Sequence, residues 1–307
     1  MLNQKLLATG ANAPAANNNA RLYGPSAVAN GPFRRPADGG YATIHTGRPA
    51  LLRQPKTPSK TVAPEKILQA FNTWAFKREQ PDGLPLMQQI VAEAARSALP
   101  VPFVLYWGKG PRCGLAEPDI ACLDYLGTLG SRVRQVHAPG AAFKLIFTDT
   151  HANLNGHMPQ AMEDYFVAVE GAARERGFDT CWLGELVFAA EAAGAIDLDD
   201  EPVSEHVLEK LGNCAAKWFR GEGTPEEGAA RYLQMNMVEK RAVQFAFPRS
   251  IFVTFNGSEY RCLFPDGMPI FYMYSLKRGF AVKPWFLPPP EVAADALPAV
   301  PAPALAE

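Results

Sequence analysis

The sequence predicts an α/β domain with a mixed, partly parallel sheet flanked by helices, and three observations carry that prediction. Strand-like and helix-like patterns alternate through the middle of the chain. The helical stretches open on Pro or acidic residues and stop near Gly. Both chain ends have a composition that cannot pack.

The ends set the limits of the folded unit. Residues 1–60 are rich in Asn, Ala, Gly and Pro and lack sustained periodicity, with eight basic side chains against one acid, Asp38. Such a stretch buries too little apolar surface to offset its ordering entropy, so it reads as a disordered, solubilising basic tail. Residues 287–307 form a Pro/Ala tail of the same kind. A single α/β domain over 61–286 remains, and at 307 residues and 48% hydrophobic the chain can bury a sizeable core.

The elements follow in order. "APEKILQAFNTWAFKR" spaces Ile67, Leu68, Phe71 and Trp74 as one helical face, and "LPLMQQIVAEAARSA" does the same with Met87, Ile90, Val91 and Ala94. "VPFVLYW" reads as a buried strand. "PDIACLDYLGTLGSRVRQV" starts a helix on Pro118 and Asp119. "AFKLIFT" is the next strand, followed by the helix "PQAMEDYFVAVEGAARERG" with Pro159 early and Gly177 past its end. "SEHVLEKLGNCAAKWFRG" and "PEEGAARYLQMNMVEKRAVQ" read as helices; "RSIFVTFNG", "RCLFPDG" and "PIFYMYSLKRG" read as strands joined by Gly-containing turns.

Composition excludes several function classes. A net charge of −1 gives no global attraction to nucleic acid or membrane. No apolar run approaches the roughly 18–20 residues needed to span a bilayer, and the start lacks a convincing signal peptide. Five scattered cysteines without a CxxC pair suit reduced thiols in a cytoplasmic protein.

In a partly parallel sheet, ligands bind beyond the carboxyl ends of the strands, and two such ends carry chemistry. The first strand ends in "YWGKGPR". Gly108 and Gly110 allow a tight turn, while Lys109 and Arg112 supply two cations ahead of a helix N-terminus. This is either a seat for a phosphate or carboxylate or a tight loop with two solvated charges; the GxxxxGK[ST] spacing of a nucleoside triphosphate loop is absent.

The second strand ends in "FKLIFTDTHANLNGH", residues 143–157. An extended backbone would put Asp149 and His151 on one face, a carboxylate beside an imidazole, which suits proton transfer. A metal site would need a third ligand such as His157 or Asp179, at spacings unlike the standard zinc signatures. The bland alternative is a polar loop in which Asn153 and Asn155 cap backbone amides. Elsewhere, Lys240 and Arg241 either reach a substrate carboxylate or form surface ion pairs. His137 reads as a loop residue at a helix end, His206 as a solvated helix residue and His45 as part of the tail. Trp107, Trp182, Trp218 and the aromatic run from Phe245 are core by composition, with one or two free to line an aromatic-substrate pocket.

The order of segments carries one further signal. "KILQAFNTWAFKR", "ALPVPFVLYWGKGPR", "EPDIACLDYLGTL", "HAPGAAFKLIFTDTH" and "YFVAVEGAARERG" resemble the isonitrile (isocyanide) synthase family of pyoverdine/dityrosine biosynthesis proteins, over about residues 65–190 and more loosely 230–286. Two departures mark a divergent member: the loop "YWGKGPR", where the family has a "PFK"-type loop, and "DTH", where the strand-end Asp is followed by Gly.

The resemblance implies a Rossmann-like α/β fold and a specific reaction. The α-amine of an amino acid condenses with the C2 carbonyl of ribulose 5-phosphate and becomes an isonitrile, in secondary-metabolite biosynthesis. No metal or organic cofactor is needed, because the sugar carbonyl serves as electron sink. Lys109 and Arg112 would hold the phosphate, Asp149 and His151 would move protons, and Lys240 or Arg241 would meet the carboxylate. Phe245, Phe247 or Trp107 would contact an aromatic side chain. The partners are then small molecules, not nucleic acid or membrane, with a downstream oxygenase as usual company. The rival readings are a metal-dependent hydrolase or lyase built on Asp149, His151 and His157, and a non-catalytic small-anion-binding protein of the same fold.

Overall fold

A computed structural model describes residues 63–108, 114–151, 154–155, 158–198, 202–217, 219–220 and 223–274. The two expected tails lie outside the described residues. The apolar run of residues 101–107 forms β1 (Val101–Trp107) and "AAFKLIF" forms β2 (Ala141–Phe147). β1 and the second half of β2 are covered on both faces, as parallel strands between helix layers must be. β3 (Asp179–Trp182), β4 (Ile251–Thr254) and β5 (Ile270–Tyr272) complete a sheet of order β3-β2-β1-β4-β5. Every strand pair is parallel. Among the described residues, antiparallel pairing enters only at the β5 edge, as the isolated bridges Lys77↔Met273 and Asp82↔Ile270. The chain steps outward from β1 to β3, then returns to lay β4 on the other side of β1. That reversal is the topological switch point of a Rossmann-like fold.

Seven helices occur among the described residues. α1 (Pro64–Phe71), α2 (Leu84–Ser97), α3 (Glu117–Val136) and α4 (Pro159–Glu175) pack on one face of the sheet. α5 (Leu183–Ala192), α6 (Glu205–Ala216) and α7 (Pro225–Ala246) pack on the other. The alternation of β1 divides the two cores: Phe103, Leu105 and Trp107 face α1–α4, while Val104 and Tyr106 face α5–α7. The first core is an aromatic chain in which Phe71 meets Phe103 edge-on at 5.2 Å and Phe103 stacks on Phe143 at 5.1 Å. Pro102 is tolerated in the central strand because the β4 ladder starts only at Phe103.

Caps explain the helix limits. Thr224 and Glu227 form a capping box at the start of α7. Ser204 accepts from the Val207 amide at the start of α6. Gly177, at φ 73°, follows α4 in the left-handed conformation that an L-residue rarely adopts.

Three local expectations need correction. α1 ends at Phe71, where Asn72 and Thr73 favour leaving the helix, so Trp74 lies past the helix and is 63% exposed. "RCLFPDG" is not a strand; Ser258–Leu263 form a 3-10 helix, and Pro265, Asp266 and Gly267 turn the chain before a ladder can form. Asp149–His151 also form a 3-10 helix. With about three residues per turn, each residue advances roughly 120°, so a two-residue spacing no longer puts positions 149 and 151 on one face.

No helix among the described residues is long and apolar enough to cross a membrane. The four described cysteines are free thiols. His137 caps the end of α3 with its ring 2.7 Å from the Leu99 carbonyl oxygen, and His206 is exposed on α6.

Candidate functional site

The site grows from a polar stripe on an otherwise apolar helix face. Tyr232, Asn236, Glu239 and Lys240 recur every three to four residues along α7 and are all buried. Helical periodicity therefore carries four polar groups into the second core, beside the carboxyl ends of β1 and β2. Glu239 is 0% exposed, and its Oε1 accepts the hydroxyl of Thr150 from the 3-10 turn after β2. Lys240 Nζ donates to Asn236 Oδ1 at 2.9 Å and to the Asn236 carbonyl at 3.2 Å. It also sits over the rings of Tyr106 (5.2 Å) and Phe264 (5.0 Å). Burial lowers the lysine to about 8, while the neighbouring Glu239 carboxylate pulls it back upward.

Asp149 lies at the rim of this cluster. Its Oδ1 accepts the Gly184 amide at 2.9 Å, so the side chain caps the first turn of α5 from a different segment. Burial raises its carboxyl to about 6, and the negative charges of Glu239 and Glu185 add to the rise. The amides of Gly184 and of Asp149 itself hold it partly back. A carboxyl with that affinity exchanges its proton near neutral pH.

Tyr106 closes the arrangement from β1. Its hydroxyl is buried and has no hydrogen-bond partner. Burial, then Glu239 and Cys181, push its ionisation well above the ordinary phenol range, so the oxygen carries its proton. Asn155 reaches the same region: it hydrogen-bonds Tyr232, and its Oδ1 is buried without a partner. The site thus combines a donor hydroxyl, a proton-exchanging carboxyl, a second carboxylate and an ammonium.

Asp149 and Lys240 belong to this cluster. Lys109, Arg112 and His157 lie outside the described residues. His151 closes the 3-10 turn that begins at Asp149. Trp107 faces away from the cluster: strand alternation sends it to the α1–α4 side, where Nε1 donates to Tyr165 Oη at 3.1 Å. Tyr165 Oη in turn donates to Asp119 Oδ1 at 3.0 Å. Arg241 and Phe245 also lie apart from it. They are exposed on α7 and, with Gln244, Ala195, Pro265 and Asp266, line an open groove of about 490 Å³. Arg241 is two residues, roughly 200° of helix, beyond the buried Glu239.

Tyr106, Thr150, Glu239 and Tyr232 were not singled out from sequence. The signal was present: the 232–236–239–240 spacing repeats at helical period, and Tyr106 is the one hydroxyl in an apolar strand. Among the described residues no group of three or more His, Cys, Asp and Glu is placed to hold a metal ion.

Fold and cluster together define a Rossmann-like α/β protein with a buried cluster of ionisable side chains at the carboxyl ends of its central strands. By fold it is similar to the crystal structure of PvcA (PA2254) from Pseudomonas aeruginosa. The TM-score is 0.50 at 18% identity, over 72% of this chain and 87% of that one. Tyrosyl-tRNA synthetase from Pyrococcus horikoshii, complexed with L-tyrosine, aligns with TM-score 0.39 at 15% identity, over 66% and 52% of the two chains. The Leishmania major tyrosyl-tRNA synthetase with tyrosinol aligns with TM-score 0.37 at 12% identity, over 61% and 36%. No protein-family model and no curated protein sequence matches the chain.

Proposed function

We propose that the protein is an isonitrile synthase-like enzyme that converts the α-amine of an amino acid to an isonitrile, with ribulose 5-phosphate as carbon donor. The segment order resembles that family, and PvcA, whose fold is similar, is a pyoverdine/isonitrile-synthase-family protein. The observation that carries the reading is the Asp149–Thr150–Glu239 group beside the Tyr106 hydroxyl at the carboxyl ends of β1 and β2.

Condensing an amine with a ketone requires the amine to lose protons and the carbonyl oxygen to gain them. Asp149, with its proton affinity near neutrality, takes and returns those protons. Tyr106, held in its protonated form, donates to the carbonyl oxygen as it develops charge. Glu239 favours the protonated state of Asp149, and Lys240 balances Glu239 so that the buried group carries no excess charge. Lys109 and Arg112 supply the phosphate contacts in this reading, and His151 a further proton carrier.

The test is incubation of the protein with ribulose 5-phosphate and each of the twenty amino acids, read by mass spectrometry. The reading expects one amino acid to gain one carbon and lose two hydrogens. Absence of that product for all twenty would refute it.

A further inference from the structure

Three buried polar side chains on the α1–α4 side of the sheet form one continuous chain of hydrogen bonds. Trp107 Nε1 donates to Tyr165 Oη at 3.1 Å, and Tyr165 Oη donates to Asp119 Oδ1 at 3.0 Å. Asp119 Oδ2 accepts the Ala116 amide at 2.9 Å, which closes the chain on the first turn of α3. The end of β1, the helix α4 and the start of α3 are thereby joined.

An apolar trio of the same size would hold these elements together without burying a carboxylate. A connected buried polar network adds direction, because it fixes one arrangement of the elements it joins. Here that arrangement includes the groups of the acid–base cluster. Trp107 is the last residue of β1, pairs with Phe147 in the ladder and accepts the Thr148 amide on its carbonyl at 3.2 Å. Tyr106 precedes Trp107, and Asp149 follows Thr148. Side chains alternate across a strand, so the Trp107 ring is held on one face of β1 while the Tyr106 ring projects from the other. Rotation of the strand end about its axis would move the Tyr106 hydroxyl and, through the Thr148 amide, the Asp149 carboxyl. The bond from Trp107 to Tyr165 opposes that rotation.

We propose that the Asp119–Tyr165–Trp107 chain is a positioning device that locks the end of β1 and so sets where the Tyr106 hydroxyl and the Asp149 carboxyl stand. The three side chains lie on the opposite face of the sheet from the Tyr106 ring and act through the backbone. Their effect on turnover rests on the proposed reaction; the positioning itself does not.

The test is the titration of Asp149 in the full chain, followed by carbon-13 NMR of labelled aspartate carboxyls, with Asp149→Asn identifying the resonance. The groups that face Asp149 are Glu239 from α7, Glu185 and the Gly184 amide from α5, and Cys181 from β3. Tyr165→Phe keeps the ring, whose centroid lies 5.5 Å from that of Phe166, and breaks the chain at its middle. Burial holds the Asp149 carboxyl at about 6, so a loosened strand end that admits water should move the midpoint down toward the ordinary carboxylate range. In the isonitrile assay the same variant should lose about tenfold in kcat at unchanged KM. Trp107→Phe should act alike, and the double variant should be no worse than either single change, because both break one chain. Phe71→Leu, in the same core but packed on Phe103 near the start of β1, should leave midpoint and turnover at wild-type values.

An unchanged Asp149 midpoint in Tyr165→Phe, or in Trp107→Phe if the first variant fails to fold, overturns the positioning role. Additive effects of the two changes, or an equal downward shift in Phe71→Leu, overturn it as well. A lowered midpoint in a protein that forms no isonitrile leaves the positioning standing and removes the reaction. Product formation with an unchanged midpoint does the reverse.

Discussion

The hydroxyl of Tyr106 costs the fold something, because it is buried without a partner on the central strand. Tyr106→Phe removes only that oxygen and keeps the ring that packs edge-on against Phe252 at 5.1 Å. We expect the unfolding temperature to stay level or rise by a few degrees, corresponding to about 1 kcal/mol, while turnover falls by about two orders of magnitude. A clear drop in unfolding temperature with turnover retained would make the hydroxyl structural. Asp149 gives a second residue-scale prediction, with a definite sign. Its folded-state pKa of about 6 is raised from 3.8, so the fold favours the protonated form. The stability this contributes is complete below about pH 4 and is lost as pH rises through 6, by roughly 3 kcal/mol at most. Asp149→Asn can still accept from the Gly184 amide, so it should be more stable than wild type at pH 8 and nearly equal at pH 4 in urea unfolding. Asp149→Ala should lose about 1 kcal/mol of that gain with the cap. An Asn variant less stable than wild type at pH 8 would contradict this account of Asp149. The carboxylate was legible in sequence because it follows an apolar strand. Its partner was not, since Glu239 is ninety positions later and only folding joins it to Thr150.

At the scale of elements, periodicity carried most of what could be read. β1, β2, α2, α3, α4, α6 and α7 follow from apolar spacing and from Pro or capping residues at their starts. β3 and α5, a strand running straight into a helix, were not singled out, and another failure came where a short polar run could take two shapes. Thr148–Asp149–Thr150 reads as strand continuation, but the carboxylate gains a backbone amide only if the chain turns toward α5. The site depends on α7 being firmly anchored, since that helix carries Tyr232, Asn236, Glu239 and Lys240 together. Thr224→Ala should therefore cost about 1 kcal/mol in denaturant unfolding, through loss of the capping box with Glu227. Phe71→Ala, in the core shared by α1, β1 and β5, should cost about 3–5 kcal/mol. If the Thr224 change proved as damaging as the Phe71 change, α7 would be held by its cap and not by its packing on the sheet.

For the whole molecule, the alternation of strands and helices predicts the fold class, but the order of strands follows from the chain's return beside β1. That return matters most for function. It brings the carboxyl ends of β1, β2, β4 and β5 to one rim, where the Asp149 carboxyl and the Tyr106 hydroxyl lie near Glu239. Local sequence cannot display this grouping, because Tyr106, Asp149 and Glu239 belong to segments far apart in the chain. The central claim is that this rim performs amine-to-isonitrile chemistry. Its most direct test is a mass-spectrometric time course with ribulose 5-phosphate labelled with carbon-13 at C2 and the amino acid that the protein binds. The account predicts a product heavier than the amino acid by one labelled carbon less two hydrogens, formed by wild type and lost in Asp149→Asn. An unlabelled product carbon, no product at all, or equal product from the Asn variant would contradict it.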